Sequence, residues 1–151
     1  MKEIVFFYPS FEKGSVTKIL IKIINFFSKK NIKVILITSK IYKKFLYNKN
    51  LKIIKISKIK YLNFFPYRWN IAFSAMAELG VYLWKNKKKS KLKIFSMQSH
   101  VGAIIVSKMF KKKIIIRNSE ELFGATKYSD NKFLAYIILI LKNLFYNLCD
   151  Q

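Results

Sequence analysis

Residues 3–39 read EIVFFYPSFEKGSVTKILIKIINFFSKKNIKVILITS, and their changes of rhythm decide the fold. Glu3 to Tyr8 is a short apolar run of β-branched and aromatic residues, interrupted by Pro9, Ser10 and Gly14. From Ser15 the period changes. Val16, Ile19, Leu20, Ile23, Ile24 and Phe27 fall at helical spacing, with Lys18, Lys22, Asn25 and Lys29 on the other face. Ile32 to Ile37 is apolar again and too short for a typical helix. The spacing predicts strand, loop, helix, strand, the opening unit of an α/β fold. Ser15 is a good N-cap, and free N–H groups and the helix dipole at such a start favour an anion. A Gly14 that only relieves a tight turn fits the spacing equally well.

Working outward, residues 40–50 are polar and tyrosine-rich and read as a connection or short irregular helix. Leu51 to Ile56 alternates apolar residues with lysine, which suits a half-exposed strand near a sheet edge. Trp69 to Trp84 is a long helix carrying the small residues Ala72, Ser74, Ala75 and Ala77 for close packing. Leu92 to Met97 reads as a strand, Gln98 to His100 as a turn, Val101 to Phe110 as a helix and Ile114 to Ile116 as a strand core. A polar loop over 117–131 precedes a final amphipathic helix, Lys132 to Leu148. The order β-α-β-β-α-β-α-β-α predicts a doubly wound, mainly parallel Rossmann-like sheet with helices on both faces. At 151 residues the chain is one domain, 1–151, able to bury roughly 70% of its unfolded surface.

The formal net charge is +23, yet only Arg68 and Arg117 are arginine. A nucleic-acid reader usually mixes in arginine, whose planar fork grips phosphate and guanine at two points, so nucleic acid is a disfavoured partner. An anionic membrane surface fits better, because each lysine near one contributes about 1 kcal/mol. Phe64, Phe65 and Pro66, beside Lys58, Lys60 and Arg68, are the candidate membrane-touching segment; a local staple onto the next helix is the alternative. The apolar stretches Ile71 to Trp84 and Phe133 to Cys149 are broken by Glu78 and Lys142, and neither should span a bilayer. The single cysteine, Cys149, excludes an internal disulfide and a cysteine-rich metal site, and reads as a small core residue. The expectation is a cytoplasmic protein able to rest on the inner membrane face.

Several chemistries lack their residues. There is no G-x-S-x-G elbow, no P-loop, no G-x-G-x-x-G fingerprint and no metal-ligand spacing. What remains collects after strands one, four and five. Of seven acidic residues, Glu12, Glu120, Glu121 and Asp130 lie in the loops after strands one and five. His100, the sole histidine, follows strand four, and Arg117 closes strand five. In a doubly wound sheet these are the strand ends where ligands bind. A histidine that caps or packs, and an Arg117 that pairs with Glu120 or Glu121, are the plainer readings.

The segment PSFEKGSVTKILIKIINFFSKKNIKVILIT (9–38) resembles the opening of the N-terminal domain of GT-B-fold glycosyltransferases of the family-4 kind. Lys30-Asn31-Ile32-Lys33-Val34 stands where that family commonly has a Gly-His pair, and Ser15 replaces a second loop glycine. IFSMQSHVGAIIVSKMFKKKIIIRNSE (94–120) is similar to the family's fourth strand, helix and fifth strand, and FYNLCDQ (145–151) to its Y-x-x-A-D element. The resemblance implies that the family's next strand would begin just after Asp150. It also implies that the second domain, which binds the nucleotide-sugar, is absent from this chain. The chain then looks like an acceptor-side half, inactive alone and served by a separate donor-domain subunit or domain.

The resemblance further implies transfer of a sugar from a nucleotide-sugar to a hydroxyl of a glycan or lipid-linked acceptor, with retention and without a metal. No resident cofactor is implied; the nucleotide-sugar is a co-substrate held mainly by the missing domain. Gly14 and Ser15 would let backbone N–H groups approach the diphosphate or acceptor. His100 would hydrogen-bond a sugar hydroxyl or move a proton, and Arg117, Asn118 and Glu120 would orient the acceptor. The competing reading is a non-catalytic basic module that binds anionic membrane or nucleic acid through its lysines.

Overall fold

Five strands, all parallel, form one sheet in a computed structural model that describes residues 3–9, 14–39, 49–57, 67–98, 100–117 and 132–149. In chain order they are β1 (Glu3–Phe7), β2 (Lys33–Thr38), β3 (Leu51–Lys55), β4 (Lys93–Ser96) and β5 (Lys113–Ile116). The helices are α1 (Ser15–Lys29), α2 (Tyr67–Lys85), α3 (His100–Met109) and α4 (Lys132–Tyr146). The sheet order is β3-β2-β1-β4-β5. The chain therefore winds outward from β1 to β3, and α2 carries it back past β1 to start β4 on the other side. β3 and β4 stand three strand spacings apart, about 14 Å. The 19 residues of α2 cover about 28 Å, ample for that return. The winding reverses between β1 and β4, and this is the doubly wound arrangement expected from the element order.

Strand alternation sorts the core into two layers. Val5, Phe7, Ile35, Ile37, Ile94 and Ile114 face Ala75, Leu79 and Leu83 of α2 and Ala103, Ile104 and Val106 of α3. Phe145 and Tyr146, at the end of α4, and Cys149, just beyond it, pack against this same layer. Ile4, Phe6, Val34 and Leu36 face Leu20 and Ile24 of α1. Phe6 and Phe95 are register partners across β1 and β4, and their rings stack at 5.4 Å. The central strands are buried on both faces, hence their unbroken apolar runs. β3, at the sheet edge, keeps the half-exposed alternation read from its lysines.

Several local expectations change. Gly14, not Ser15, holds the cap position of α1, with extended backbone (φ 174°) and no side-chain cap; Ser15 is already helical. His100 opens α3 rather than closing a turn. Asn31 takes left-handed backbone at φ 52°, and Lys111 does so at φ 53° after α3. Asn31 lies in the stretch where the resemblance places a Gly-His pair, and it is the non-glycine residue best suited to that backbone. α4 is apolar around most of its circumference rather than cleanly amphipathic: Ala135, Phe145 and Tyr146 turn inward, and large apolar side chains are also exposed. Glu12, Asn118, Glu120, Glu121, Asp130 and the segment from Lys58 to Pro66 lie outside the described residues.

Candidate functional site

Backbone hydrogen bonds continue past the strand ends and stitch them into one rim. Met97 N–H donates to Phe7 O at 2.9 Å, across the β1/β4 boundary. Arg117 N–H donates to Ser96 O at 3.0 Å, joining β4 to β5. On the other flank, Tyr8 N–H donates to Ile37 O at 3.0 Å and Ser39 N–H to Pro9 O at 2.9 Å. Because all strands are parallel, the segments after β1, β4 and β5 leave from this same edge. The β1/β4 boundary is the switch point, the place where open α/β sheets leave a crevice for ligands.

Ser96 organises one wall. It is fully buried, and its hydroxyl donates to Gln98 O at 3.1 Å. One turn on, His100 Nδ1 lies 2.9 Å from the same Ser96 Oγ. A hydroxyl has a single proton. With that proton on the Gln98 carbonyl, Ser96 Oγ accepts from His100, so Nδ1 carries the imidazole proton and Nε2 the lone pair. The His100 ring also meets the ring of Tyr146 edge-on, with centroids 5.9 Å apart. Of the plain readings of this histidine, the packing one holds; His100 is the first helical residue of α3 rather than its cap.

Arg117 stands beside this pair through its bond to Ser96 O. Its side chain is half-buried, and among the described residues its buried Nη1 has no hydrogen-bond partner. A buried guanidinium N–H left unpaired is unfavourable, so this nitrogen calls for an acceptor oxygen. Gly14 approaches the rim from α1, on the sheet face opposite α3. Its carbonyl accepts from Lys18 N–H at 3.2 Å, and no acidic residue occupies the first turn. Its backbone is one any residue adopts, and among the described residues nothing lies within 4 Å of where a Cβ would stand. Neither strain nor crowding in this neighbourhood requires a glycine there.

The structure thus joins His100 and Arg117 through Ser96 and sets Gly14 and Ser15 on the same edge. Asn118 and Glu120 lie outside the described residues. Sequence reasoning missed Ser96 and Tyr146. Ser96 had a signal, a polar residue closing an apolar strand four positions before His100; Tyr146 had none. Among the described residues no three His, Cys, Asp or Glu side chains gather to hold a metal.

No protein-family model and no curated protein matches the chain. Among solved structures it is similar to a UGT transferase from Siraitia grosvenorii in complex with UDP, with a TM-score of 0.60 and 12% identity. The match covers 87% of this chain and 32% of that one. At this identity the likeness shows the fold alone, a Rossmann-like parallel sheet with helices on both faces.

Proposed function

We propose that the chain is the acceptor-side half of a GT-B glycosyltransferase of the family-4 kind, whose nucleotide-sugar half is supplied by a second domain or subunit. Fold alone does not set chemistry. The observation that carries the reading is that His100 and Arg117 both meet Ser96 at the ligand-binding edge of the sheet, His100 through its Nδ1 to Ser96 Oγ and Arg117 through its backbone N–H to Ser96 O. The fold shared with part of a UDP-bound transferase supports it.

In this reading the crevice takes a hydroxylated acceptor, a glycan or lipid-linked sugar. Nε2 of His100, the nitrogen bearing the lone pair, accepts from a sugar hydroxyl and can take its proton as the hydroxyl attacks. Ser96 holds the ring in that tautomer and Tyr146 holds its plane. Arg117 Nη1 donates to an acceptor oxygen, with Asn118 and Glu120 orienting the same molecule. Gly14 and Ser15 offer backbone N–H groups to the acceptor or to the diphosphate of a donor held by the other half. The donor is a co-substrate, and the chain needs no resident cofactor.

The test is a saturation-transfer NMR screen of the 151-residue chain with hexoses and N-acetylhexosamines. Binding should perturb His100 and Arg117, and His100→Ala or Arg117→Ala should each weaken it about tenfold. Sugar contacts confined to other parts of the chain would overturn the reading, as would UDP binding by this chain alone in preference to sugars. The net charge of +23 favours a second reading, a non-catalytic basic module. That module would bind anionic polymers in a salt-sensitive way, unmoved by either substitution.

A further inference from the structure

We infer that the turns ending α2 and α3 form an anion site for a small ligand carrying adjacent phosphate groups, built around the buried ammonium of Lys112. Lys112 is 5% exposed. Its Nζ donates to Lys87 O at 2.9 Å and to Lys89 O at 2.7 Å. An ammonium has three protons, and among the described residues the third meets no acceptor. Glu3, the carboxylate at this edge of the sheet, is taken by Lys89 at 2.6 Å. A buried charge is ordinarily paired with an opposite one. Among the described residues this one is held by neutral carbonyls alone.

The surroundings of the ammonium add to its want of an anion. Lys112 clamps together two turns whose other lysines are exposed: Lys85, Lys87, Lys88, Lys89 and Lys91 on one side, Lys111 on the other. Like charges brought together repel. Lys111 also takes left-handed backbone at φ 53°, at the position after a helix where glycine is usual. Asn31 holds the corresponding position after α1. A lysine thus stands where its backbone is strained and its charge is repelled. A bound anion offsets the repulsion and gives the third proton of Lys112 an acceptor.

The donors select phosphate. The cluster is all lysine, whereas a carboxylate is gripped best by the planar fork of arginine. Lysine holds phosphate oxygens as a point charge. Several lysines around one ammonium favour a ligand with more than one negative group. Among the described residues no helix is long and apolar enough to cross a membrane, so these lysines flank no spanning helix there. The two turns precede β4 and β5, whose far ends form the crevice. The inference therefore stands whether or not the crevice binds sugar.

The test is an NMR titration of the isotope-labelled full chain with inorganic tripolyphosphate. It is run at about 0.15 M salt, where the Debye length is ~8 Å and diffuse attraction is screened. Amide shifts should saturate together over residues 86–91 and 110–112, with His100 unmoved. Lys87→Gln keeps the accepting carbonyl and should weaken binding about fivefold. Lys111→Gly should weaken it as much, yet raise the melting temperature of the ligand-free chain, because it relaxes the left-handed turn. Lys113→Gln is the control. Ile114 faces α2 and α3, so Lys113 points to the other face of the sheet, and its loss should change binding less than about twofold. Shifts that spread evenly over the surface lysines without saturating would overturn the inference, as would undiminished binding by folded Lys87→Gln and Lys111→Gly. Tighter binding of a single-stranded oligonucleotide at the same amides would overturn the small ligand and give the site to a phosphodiester chain.

Discussion

The ring of His100, the first residue of α3, meets the ring of Tyr146, the last residue of α4, with centroids 5.9 Å apart and planes at 78°. The start of one helix is thus braced by the end of another. An edge-to-face pair of this kind contributes about 1 kcal/mol beyond the area it buries. Tyr146→Ala should therefore lower unfolding stability by about 2–3 kcal/mol in denaturant titration, since the ring also packs on the core. It should move the His100 ring resonances, whereas Tyr146→Phe should leave most of that ring contact in place. Unmoved His100 resonances in Tyr146→Ala would show that the contact does not form in solution.

The Ser96 hydroxyl sets which imidazole nitrogen holds the proton. Nitrogen-detected NMR of the wild type should show the Nδ1–H tautomer of His100. Ser96→Ala removes the acceptor, so the population should move toward Nε2–H, the commoner form in water. Acceptor binding should weaken in the same variant although Ser96 touches no acceptor in the proposed arrangement. A wild-type Nε2–H tautomer would reverse the hydrogen-bond direction deduced at Ser96.

Much of the fold could be read from periodicity because each element has one dominant environment. β1 and β2 are buried on both faces, and α1 has one apolar side and one lysine side. The rim was readable for the same reason: a parallel sheet sends every strand end to one edge. What could not be read depends on choices that periodicity does not encode. Gly14 and Ser15 are both competent caps, and sequence does not tell which adopts the non-helical backbone. His100 and Tyr146 lie in separate helices, so only tertiary packing reveals that they touch. α4 is apolar around most of its circumference, so its pattern cannot say which side the core takes. The carbohydrate chemistry itself remains a proposal, since sheets of this kind serve many chemistries.

Three consecutive lysines, Lys111 to Lys113, should behave very differently on substitution. Lys112 is 5% exposed, and its Nζ donates to Lys87 O at 2.9 Å and Lys89 O at 2.7 Å in the turn after α2. Lys112→Met keeps much of the stem but leaves both carbonyls without this donor. It should cost about 2 kcal/mol by denaturant unfolding. Lys113→Met, at an exposed position, should stay within about 0.5 kcal/mol of wild type. Equal effects at the two sites would mean that Lys112 reaches solvent instead.

At the opposite edge of the sheet from the candidate site, Glu3 accepts from the Tyr82 hydroxyl and pairs with Lys89 at 2.6 Å. Burial works to raise the Glu3 carboxyl. Hydrogen bonds from Lys89 and Tyr82, with the charges of Lys89 and Lys33, outweigh it and hold the group below its ordinary value of 4.5. Burial first, and then the Glu3 carboxylate, push the Tyr82 phenol above its ordinary value of 10.0. The signs follow from linkage. A depressed carboxyl contributes stability that is present above 4.5 and lost as pH falls through its folded value. A raised phenol contributes stability that is whole below 10.0 and lost as pH rises from there toward its folded value. Tyr82→Phe should cost about 1 kcal/mol at neutral pH. Its deficit against wild type should shrink above pH 10, because the wild type alone loses the phenol's contribution. Glu3→Gln should likewise draw toward wild type as pH falls below 4.5 and through the lowered folded value of Glu3. Chemical unfolding at stepped pH measures both differences, and deficits that stay constant across the range would show that Glu3 and Tyr82 are not coupled in the folded protein.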